Sequence, residues 1–446
     1  MKYGLLFFTT MLLSIGSVQA ATVSLEEAVD EALLHAPALQ SAQAARNSGH
    51  EDAAIGRAWL RPYLALNGSW NRVRQDNVYY TPPAGFPLAN ELNMVQSYYG
   101  IKAYQPLFDL GKWSLYKQGL ASSAMGDISL KLTRRQTILT TAAAWLDVMR
   151  TTHRLRAAKA SEQAMVKLAE QASAAFEVGL EPVNSSLAAI SRRDLARAQR
   201  IRAALVLHQA QAVLLSLSGN SADVVVAIDR SIAPLLLDHA SEQQWQQLAD
   251  HEENVALAKQ ALALAAASKL KALGGAMPKL QLVAGWEKQR SSAGIFGTGS
   301  EVQSASIGVE VSMPLYAGGA TWAQLRKSEQ EKIRADMDLA EAQRGAHLGA
   351  QQAWLQWQAT GFELTAIKAA LTSARSEQQA AHAGFDAGLR TLTEVLDAED
   401  RLANARATLV DSIASHALSV LQLYAAVGAL DTDKVALVQQ WLMPSR

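Results

Sequence analysis

Two stretches of this chain are copies of one another, and that duplication limits the folds open to it. Arg61-Pro62-Tyr63-Leu64-Ala65-Leu66-Asn67-Gly68-Ser69-Trp70 returns 216 residues later as Met277-Pro278-Lys279-Leu280-Gln281-Leu282-Val283-Ala284-Gly285-Trp286. Gln105-Pro106-Leu107-Phe108 returns as Met313-Pro314-Leu315-Tyr316 at an offset of 208, and Ala144-Trp145-Leu146 as Ala353-Trp354-Leu355 at 209. Phe176-Glu177-Val178-Gly179-Leu180 matches Phe385-Asp386-Ala387-Gly388-Leu389, and Gly219 matches Gly428, again at 209. Anchors in one order at nearly constant spacing mark an internal repeat. The halves are read as residues 21–235 and 236–430, with a C-terminal tail at 431–446.

Each half carries the same succession of periodicities. Ser24-x-x-Glu27 is a capping box that opens a short helix, and Pro37 suits the first turn of the next. Ser241-x-x-Gln244 opens the equivalent stretch, which runs through an alanine-rich segment to Leu273, where Gly274-Gly275 ends it. Period-two segments follow. Leu64, Leu66, Gly68 and Trp70 alternate with Ala65, Asn67, Ser69 and Asn71, as Leu280, Leu282, Ala284 and Trp286 do with Gln281, Val283, Gly285 and Glu287. Loops holding Pro82, Pro83, Gly85 and Pro87, or Gly294, Gly297 and Gly299, lead to second strands through Tyr99, Ile101 and Ala103, or Ile307, Val309, Val311 and Met313. The spacing predicts β-hairpins over about 62–107 and 278–315, with strands of about 10 to 12 residues.

Long helices come next. Lys112 to Val178 is 67 residues without proline, and Ala320 to Ala387 is 68. At ~1.5 Å per residue, each makes a helix of roughly 100 Å, too long for the core of a compact domain. Gly179 and Gly388 supply a stop and a reversal, so that helix pairs are predicted over about 112–217 and 320–427. In the last return helix Val395, Leu402, Leu409 and Leu423 follow steps of seven, with Ile413, Val420 and Val427 as a second seam. That is coiled-coil spacing, interrupted by His416 and Arg406.

The N-terminus reads as an export signal. Lys2 precedes an uncharged run from Tyr3 to Val18, and Val18-Gln19-Ala20 offers small residues for cleavage between Ala20 and Ala21. Residues 1–20 are therefore expected to be removed, since the run falls short of the ~20 residues of a membrane span. No run of 18 or more apolar residues follows, which predicts a mature chain without a transmembrane helix. The 41 basic and 41 acidic side chains cancel, which argues against a nucleic-acid partner. With no cysteine, disulfides, Cys-ligated metals, thiol nucleophiles and an N-terminal lipid anchor are not expected.

Strands with one apolar face, and another carrying Lys102, Glu310, Asn67 and Gln281, fit a packed sandwich or a lipid-facing barrel wall around a wet lumen. On the barrel reading the lipid-facing positions are Leu64, Leu66, Trp70, Tyr99, Ile101, Leu280, Leu282, Trp286, Ile307, Val309 and Val311. Tyr98, Tyr104, Phe108 and Tyr316 lie on and beside these strands, as interface girdles would. Four strands fall short of the ~8 that a single-chain membrane barrel needs. An open sheet in lipid would leave unpaired edges at several kcal/mol per group. A membrane barrel made from these strands needs several chains.

On these residues the chain resembles the TolC-type outer membrane efflux channels, from Ser24 to about Leu430. The likeness is carried by the duplicated plan, by the Gln105-Pro106-Leu107-Phe108 and Met313-Pro314-Leu315-Tyr316-Ala317-Gly318-Gly319 strand exits, and by the two glycine turns. Its most specific part is Gly388-Leu389-Arg390-Thr391-Leu392-Thr393-Glu394-Val395-Leu396-Asp397-Ala398-Glu399. The resemblance implies an α+β membrane protein, a homotrimer whose copies give four strands each to a 12-stranded β-barrel continued by a long α-helical coiled-coil barrel. It implies a passive duct without cofactor or metal, set in the bacterial outer membrane with its helices in the periplasm. The partners implied are a periplasmic adaptor (membrane fusion) protein, an inner-membrane pump of RND, ABC or MFS type, and outer-membrane lipid. The cargo would be small molecules or, alternatively, polypeptides of a type I secretion system.

Site residues carry over by position. Glu394 and Asp397 match acidic residues that ring the closed periplasmic tip, and Arg390 and Phe385 match residues that tie the helix pairs together. Converging carboxylates at such a constriction favour cations and resist full ionisation. Val178, Gly179, Leu180, Ala387, Gly388 and Leu389 match tip turns that receive the adaptor's helical hairpin. Phe385 has no hydroxyl where some relatives carry tyrosine, and Ser185 stands in place of an acidic partner, so fewer polar ties are implied at this gate. Read without the family, Thr391-x-x-Glu394 is a capping box and Asp397 is a charge near a helix start.

Enzyme signatures are missing. The chain has no phosphate-binding Gly-x-x-x-x-Gly-Lys-Ser/Thr, no Gly-x-Ser-x-Gly elbow and no His-Glu-x-x-His. His251-Glu252-Glu253 lacks a second histidine four residues on, and His347, His382 and His416 fall within long helices. Two other classes fit less well. A trimeric adhesin gathers its strands at the C-terminus rather than mid-chain, and a soluble periplasmic coiled-coil scaffold would be found in the soluble periplasmic fraction rather than with the outer membrane.

Overall fold

The computed structural model describes residues 23–77, 91–179, 182–219, 232–237, 241–294 and 298–443. The signal peptide with its Ala20–Ala21 junction, the prolines of the 82–87 loop, Leu180 and Gly297 lie outside these residues. The elements in order are α1 (Leu25–His35), α2 (Pro37–Ala58), β1 (Tyr63–Asp76), β2 (Glu91–Phe108), α3 (Leu110–Glu177), α4 (Val183–Ser218) and α5 (Glu242–Leu248). They continue with α6 (Glu253–Gly274), β3 (Lys279–Ser291), β4 (Ser300–Ser312), α7 (Ala320–Asp386), α8 (Leu392–Ala426) and α9 (Thr432–Leu442). The chain divides into two units, one of residues 38–133 and 249–348, the other of residues 1–37, 134–248 and 349–446. Helices α3 and α7 each run through both.

The first unit holds the sheet. Its strands are antiparallel in the order β1-β2-β3-β4, so the two repeats join through β2 and β3, and β1 and β4 each keep one unpaired edge. The strands run for 14, 18, 13 and 13 residues, longer than the alternation predicts. Pairing continues past the apolar band because charged partners carry it, with Arg74 on Glu91 at 2.8 Å and Lys288 on Glu301. Beside the sheet, α2 packs closely on α3. A Cβ on Gly56 would sit 2.8 Å from Tyr116 Cα, and one on Gly119 would sit 2.4 Å from the Asp52 carbonyl. Gly49 and Gly56 on one helix, and Gly119 and Gly126 on the other, lie seven residues apart, so bare backbone recurs every two turns. The alanine-rich stretch holds two helices, α5 and α6. A turn at Ala249–His251 breaks it, and the buried Glu252 caps α6 by accepting from Asn254 N at 2.8 Å.

The second unit is helical. The α1 capping box is present, with Ser24 and Glu27 bonded reciprocally, and Leu25, Ala28, Val29 and Ala32 form its buried stripe. Trp145, fully buried, donates its indole N–H to the Val23 carbonyl at 3.0 Å. The stretch read as the C-terminal tail holds α9. Asp431 caps α9, Val435, Val438 and Leu442 are buried, and Gln439 accepts from Glu26 N at 2.8 Å. Both heptad seams of α8 are buried, and His416 is buried within its seam. By length and composition alone α4 passes as a membrane span, through an 18-residue window of mean hydropathy 1.3. Arg202, His208, Gln209 and Gln211 interrupt its apolar run without cancelling the average.

Candidate functional site

Two surfaces hold the sequence-derived site residues, and each belongs to one unit. On the sheet, register decides which side chains share a face. Leu66 opposes Ile101, Ile101 opposes Trp286, and Leu282 opposes Val309, while Leu64 pairs with Ala103 and Leu280 with Val311. Because strand side chains alternate, this register puts all eleven positions read as lipid-facing on one side. Leu66 is 76 % exposed and Ile307 77 % exposed, with Leu280 and Leu282 half-buried. The Tyr99 and Trp286 rings meet at 6.0 Å, towards the end where Lys288 and Arg290 replace apolar residues. The opposite face is polar. There Glu287 accepts from the Tyr98 hydroxyl at 3.1 Å and from Ser304 at 3.2 Å, with Lys102 Nζ at 3.7 Å, and Gln281 donates to Glu310 at 2.9 Å.

The other surface lies where α3 meets α4 and α7 meets α8. Gly179 and Gly388 take φ of 78° and 70°, the left-handed conformation that a side chain opposes by roughly 1–2 kcal/mol. At Gly388 the turn is a full Schellman motif, with Leu389 N donating to Gly384 O at 2.8 Å and Gly388 N to Phe385 O at 2.9 Å. Val178, Ala387 and Leu389 are exposed around these turns, and Leu180 lies outside the described residues. Beneath them Met165, Leu168, Ala169, Ala172, Ala189, Ala196, Ala381, Leu392, Val395, Leu396 and Ala398 form one buried cluster. Its many alanines let four helices approach closely. Each fully buried leucine contributes about 1.5–3 kcal/mol, whereas an exposed ion pair contributes about 0–1 kcal/mol, so packing holds the bundle.

The polar residues over that cluster are held by bonds within the chain. Glu394 accepts from Thr391 N at 2.7 Å and from Thr391 Oγ1 at 3.0 Å, completing the capping box. Those bonds, the backbone one foremost, hold its carboxyl below the usual glutamate range. Within one copy that is the reverse of the rise expected for crowded carboxylates. Asp397 accepts from Arg192 Nη2 at 2.6 Å, and the same guanidinium donates through Nη1 to Asp400 at 2.7 Å. Arg390 folds its side chain over Gly384, and Phe385 lies against the hydrophobic cluster. The expected shortage of ties is therefore made up elsewhere. Besides Arg192, His382 and Gln378 meet Glu399 at 2.8 and 2.7 Å, Arg401 pairs with Glu377, and Arg200 bonds Glu162 at 2.7 Å. Alternation and heptads carry no signal for Arg192, because its partners lie over 200 residues away.

His416 is a packing residue of α8. Its Nε2 accepts from Leu235 N at 3.0 Å, and its Nδ1 faces Thr360 Oγ1 at 3.0 Å. Trp357 and Trp441 donate to the carbonyls of Leu235 and Ala233, at 3.2 and 2.7 Å. A neutral imidazole thus pins the segment 232–237 to α8, and burial pushes its pKa down to about 4. Among the described residues no group of three or more His, Asp or Glu could hold a metal ion.

Comparison with known proteins agrees with this geometry. The profile of the family described as outer membrane efflux protein matches residues 28–220 and 246–429. The outer membrane protein TolC of Vibrio cholerae is 26 % identical over 427 residues, covering 95 % of each chain. The alkaline protease secretion protein AprF of Pseudomonas aeruginosa is 24 % identical, over 91 % of this chain and 85 % of its own. Among solved structures, the outer membrane protein VceC of Vibrio cholerae superposes with a TM-score of 0.75 at 20 % identity, over 91 % of this chain and 96 % of that one.

Proposed function

The chain belongs to the outer membrane efflux protein family, and from that premise we propose that three copies form the passive exit duct of a tripartite export system. It is an outer membrane channel protein with strands in the membrane and long helices in the periplasm. The observation that carries the trimer is the sheet. Its apolar face needs lipid, and its unpaired β1 and β4 edges cannot be left open in lipid, where each unsatisfied group costs several kcal/mol. Identical copies meeting edge to edge close a 12-stranded barrel with the Glu287 face inward. The exposed apolar side chains of α4, Leu187, Leu195, Leu205 and Val213 among them, then become contacts between copies.

In this reading the turns at Val178, Gly179, Leu180 and Ala387, Gly388, Leu389 receive a periplasmic adaptor, and an inner-membrane pump supplies the energy. A groove of about 700 Å³ beside them, lined by Lys167, Gln171, His382, Phe385 and Glu399, is a receptive surface. Glu394 and Asp397 line the constriction, with Arg390 and Phe385 steadying the helix ends. No step is catalytic. A type I protein secretion duct is the second reading, favoured by the likeness to the protease secretion protein.

Purified protein in planar bilayers tests the proposal. It should give discrete conductance steps, and replacing Glu394 and Asp397 together with alanine should lower cation preference and raise conductance. Material that is a water-soluble monomer without detergent would end the duct reading, and unaltered traces in the double variant would remove the gate assignment.

A further inference from the structure

Trp70-x-Arg72-x-Arg74 on β1 returns as Trp286-x-Lys288-x-Arg290 on β3, at the repeat offset of 216. Strand side chains alternate, so these six share the apolar face and follow its leucines toward the hairpin loops. The helices join the strands at the other end, in the periplasm, so the cations stand at the outer end of the sheet. Each strand passes from aliphatic side chains to tryptophan to cation, the order of hydrocarbon, interface and headgroup layer. Two of the four cations are paired, Arg74 with Glu91 and Lys288 with Glu301. Arg72 and Arg290 are exposed, and neither donates to a carboxylate among the described residues. Arg290 opposes Glu301 across the ladder, but that carboxylate is bonded to Lys288. Asp76, which ends β1, lies ~13 Å along the strand from Arg72. Beside Arg290 is a groove of about 650 Å³, lined also by Trp70, Val95, Ser97, Ser292 and Glu301. Its wall is fixed. Ser292 N donates to the Val95 carbonyl at 2.9 Å, and Ser292 Oγ accepts from Val95 N at 2.8 Å, which leaves the hydroxyl proton free to donate.

We propose that this groove, with Arg72 at its side, binds the phosphorylated sugar headgroup of an outer-leaflet glycolipid, the lipid A of lipopolysaccharide. This rests on the reading above that the apolar face meets lipid, and it adds which headgroup the sheet holds. A guanidinium takes phosphate through two parallel N–H bonds. Arg290 binds one phosphate, with the Ser97 and Ser292 hydroxyls beside it as further donors. Arg72 stands two strands and two residues away, about 12 Å between Cα atoms, a span that suits a disaccharide with a phosphate at each end. Trp70 shares a row with Ser97 and Arg290 and precedes Arg72 on the same face, so its ring offers the sugar an apolar surface. The Lys288 bond keeps Glu301 from acting as a lone repelling charge.

Titration of the detergent-solubilised protein with lipid A, read by tryptophan fluorescence, tests this, with planar-bilayer conductance measured on the same preparations. Wild-type protein should bind the form carrying both phosphates roughly tenfold or more tighter than the dephosphorylated form. R72Q/R290Q should lose that difference while its conductance stays at the wild-type value. R72K/R290K keeps the charges without the forks and should fall between. Lys102→Gln, which removes a cation from the opposite face, should bind as wild type does. Equal affinity of wild type for the two glycolipid forms overturns the proposal without recourse to any variant, and so does equal affinity of wild type and R72Q/R290Q for the phosphorylated form. Displacement of lipid A by millimolar inorganic phosphate, or equally tight binding of phosphatidylglycerol, would reveal a site for any phosphate and overturn the glycolipid assignment. Wild-type protein that conducts but binds no lipid A removes this proposal alone. Wild-type protein that forms no channel removes the duct reading and the proposal with it.

Discussion

At the scale of single residues, environment overrides what a residue type suggests. His416 looks in sequence like a break in a heptad seam, and it is instead a buried acceptor holding the 232–237 segment. Its pKa of about 4 lies below the ordinary 6.5, so the folded protein binds that proton less readily than the unfolded chain does. The contribution to stability is complete above pH 6.5 and declines as pH falls toward 4, by about 3 kcal/mol across the window. Melting of the detergent-solubilised protein between pH 7.5 and 4.5 should show this as a falling midpoint, with His416→Gln less stable at pH 7.5 but flatter toward acid. Parallel curves would assign the acid sensitivity to other groups. Glu394 is the converse case, since its spacing from Thr391 announces a capping box that the structure contains.

At the scale of elements, the hairpins, the long helices and their stops follow from local rules. Alternation marks strands, proline-free length marks helices, and the left-handed Gly179 and Gly388 end them. Strand ends are less legible, because charged pairs extend β1 to Asp76 and β4 back to Ser300 beyond the apolar pattern. The close approach of α2 and α3 leaves only glycines at steps of seven, easily read as poor helix formers. Replacing Gly119 by alanine would put a Cβ 2.4 Å from Asp52 O, so the helices must part. A loss of roughly 1–3 kcal/mol is expected, read as a lower melting temperature and faster proteolysis of α2. An unchanged Gly119→Ala would show that the pair yields without cost.

At the scale of the whole molecule, the duplication does more than mark two halves. If β4 of one copy meets β1 of the next as β2 meets β3, the observed register can be carried over by the repeat offsets of 208 and 216. Lys102 opposite Gly285 then maps onto Glu310 opposite Ser69 of the next copy. The chain has no cysteine, so Glu310→Cys with Ser69→Cys should give covalent dimers and trimers on non-reducing gels without background. Glu310→Cys with Asn67→Cys or Asn71→Cys, two residues out of register, should link poorly. Linkage only in a shifted pair would leave the trimer standing and correct the register; no linkage in any pair would count against edge-to-edge closure.

The sequence by itself determined the repeat, the four strands with their common apolar face, the two long helix pairs and the turns that reverse them. These are periodic or local, so neighbours in sequence encode them. The tertiary structure decided what depends on distant partners. Trp145 and Trp354 occupy equivalent places in the repeat, yet Trp145 donates to the Val23 carbonyl and the Trp354 indole nitrogen has no partner among the described residues. Likewise Arg192 reaches Asp397 and α9 packs under α1, contacts across some 200 and 400 residues. Hydrogen bonds need geometry to within tenths of an ångström, which no periodicity in a sequence specifies.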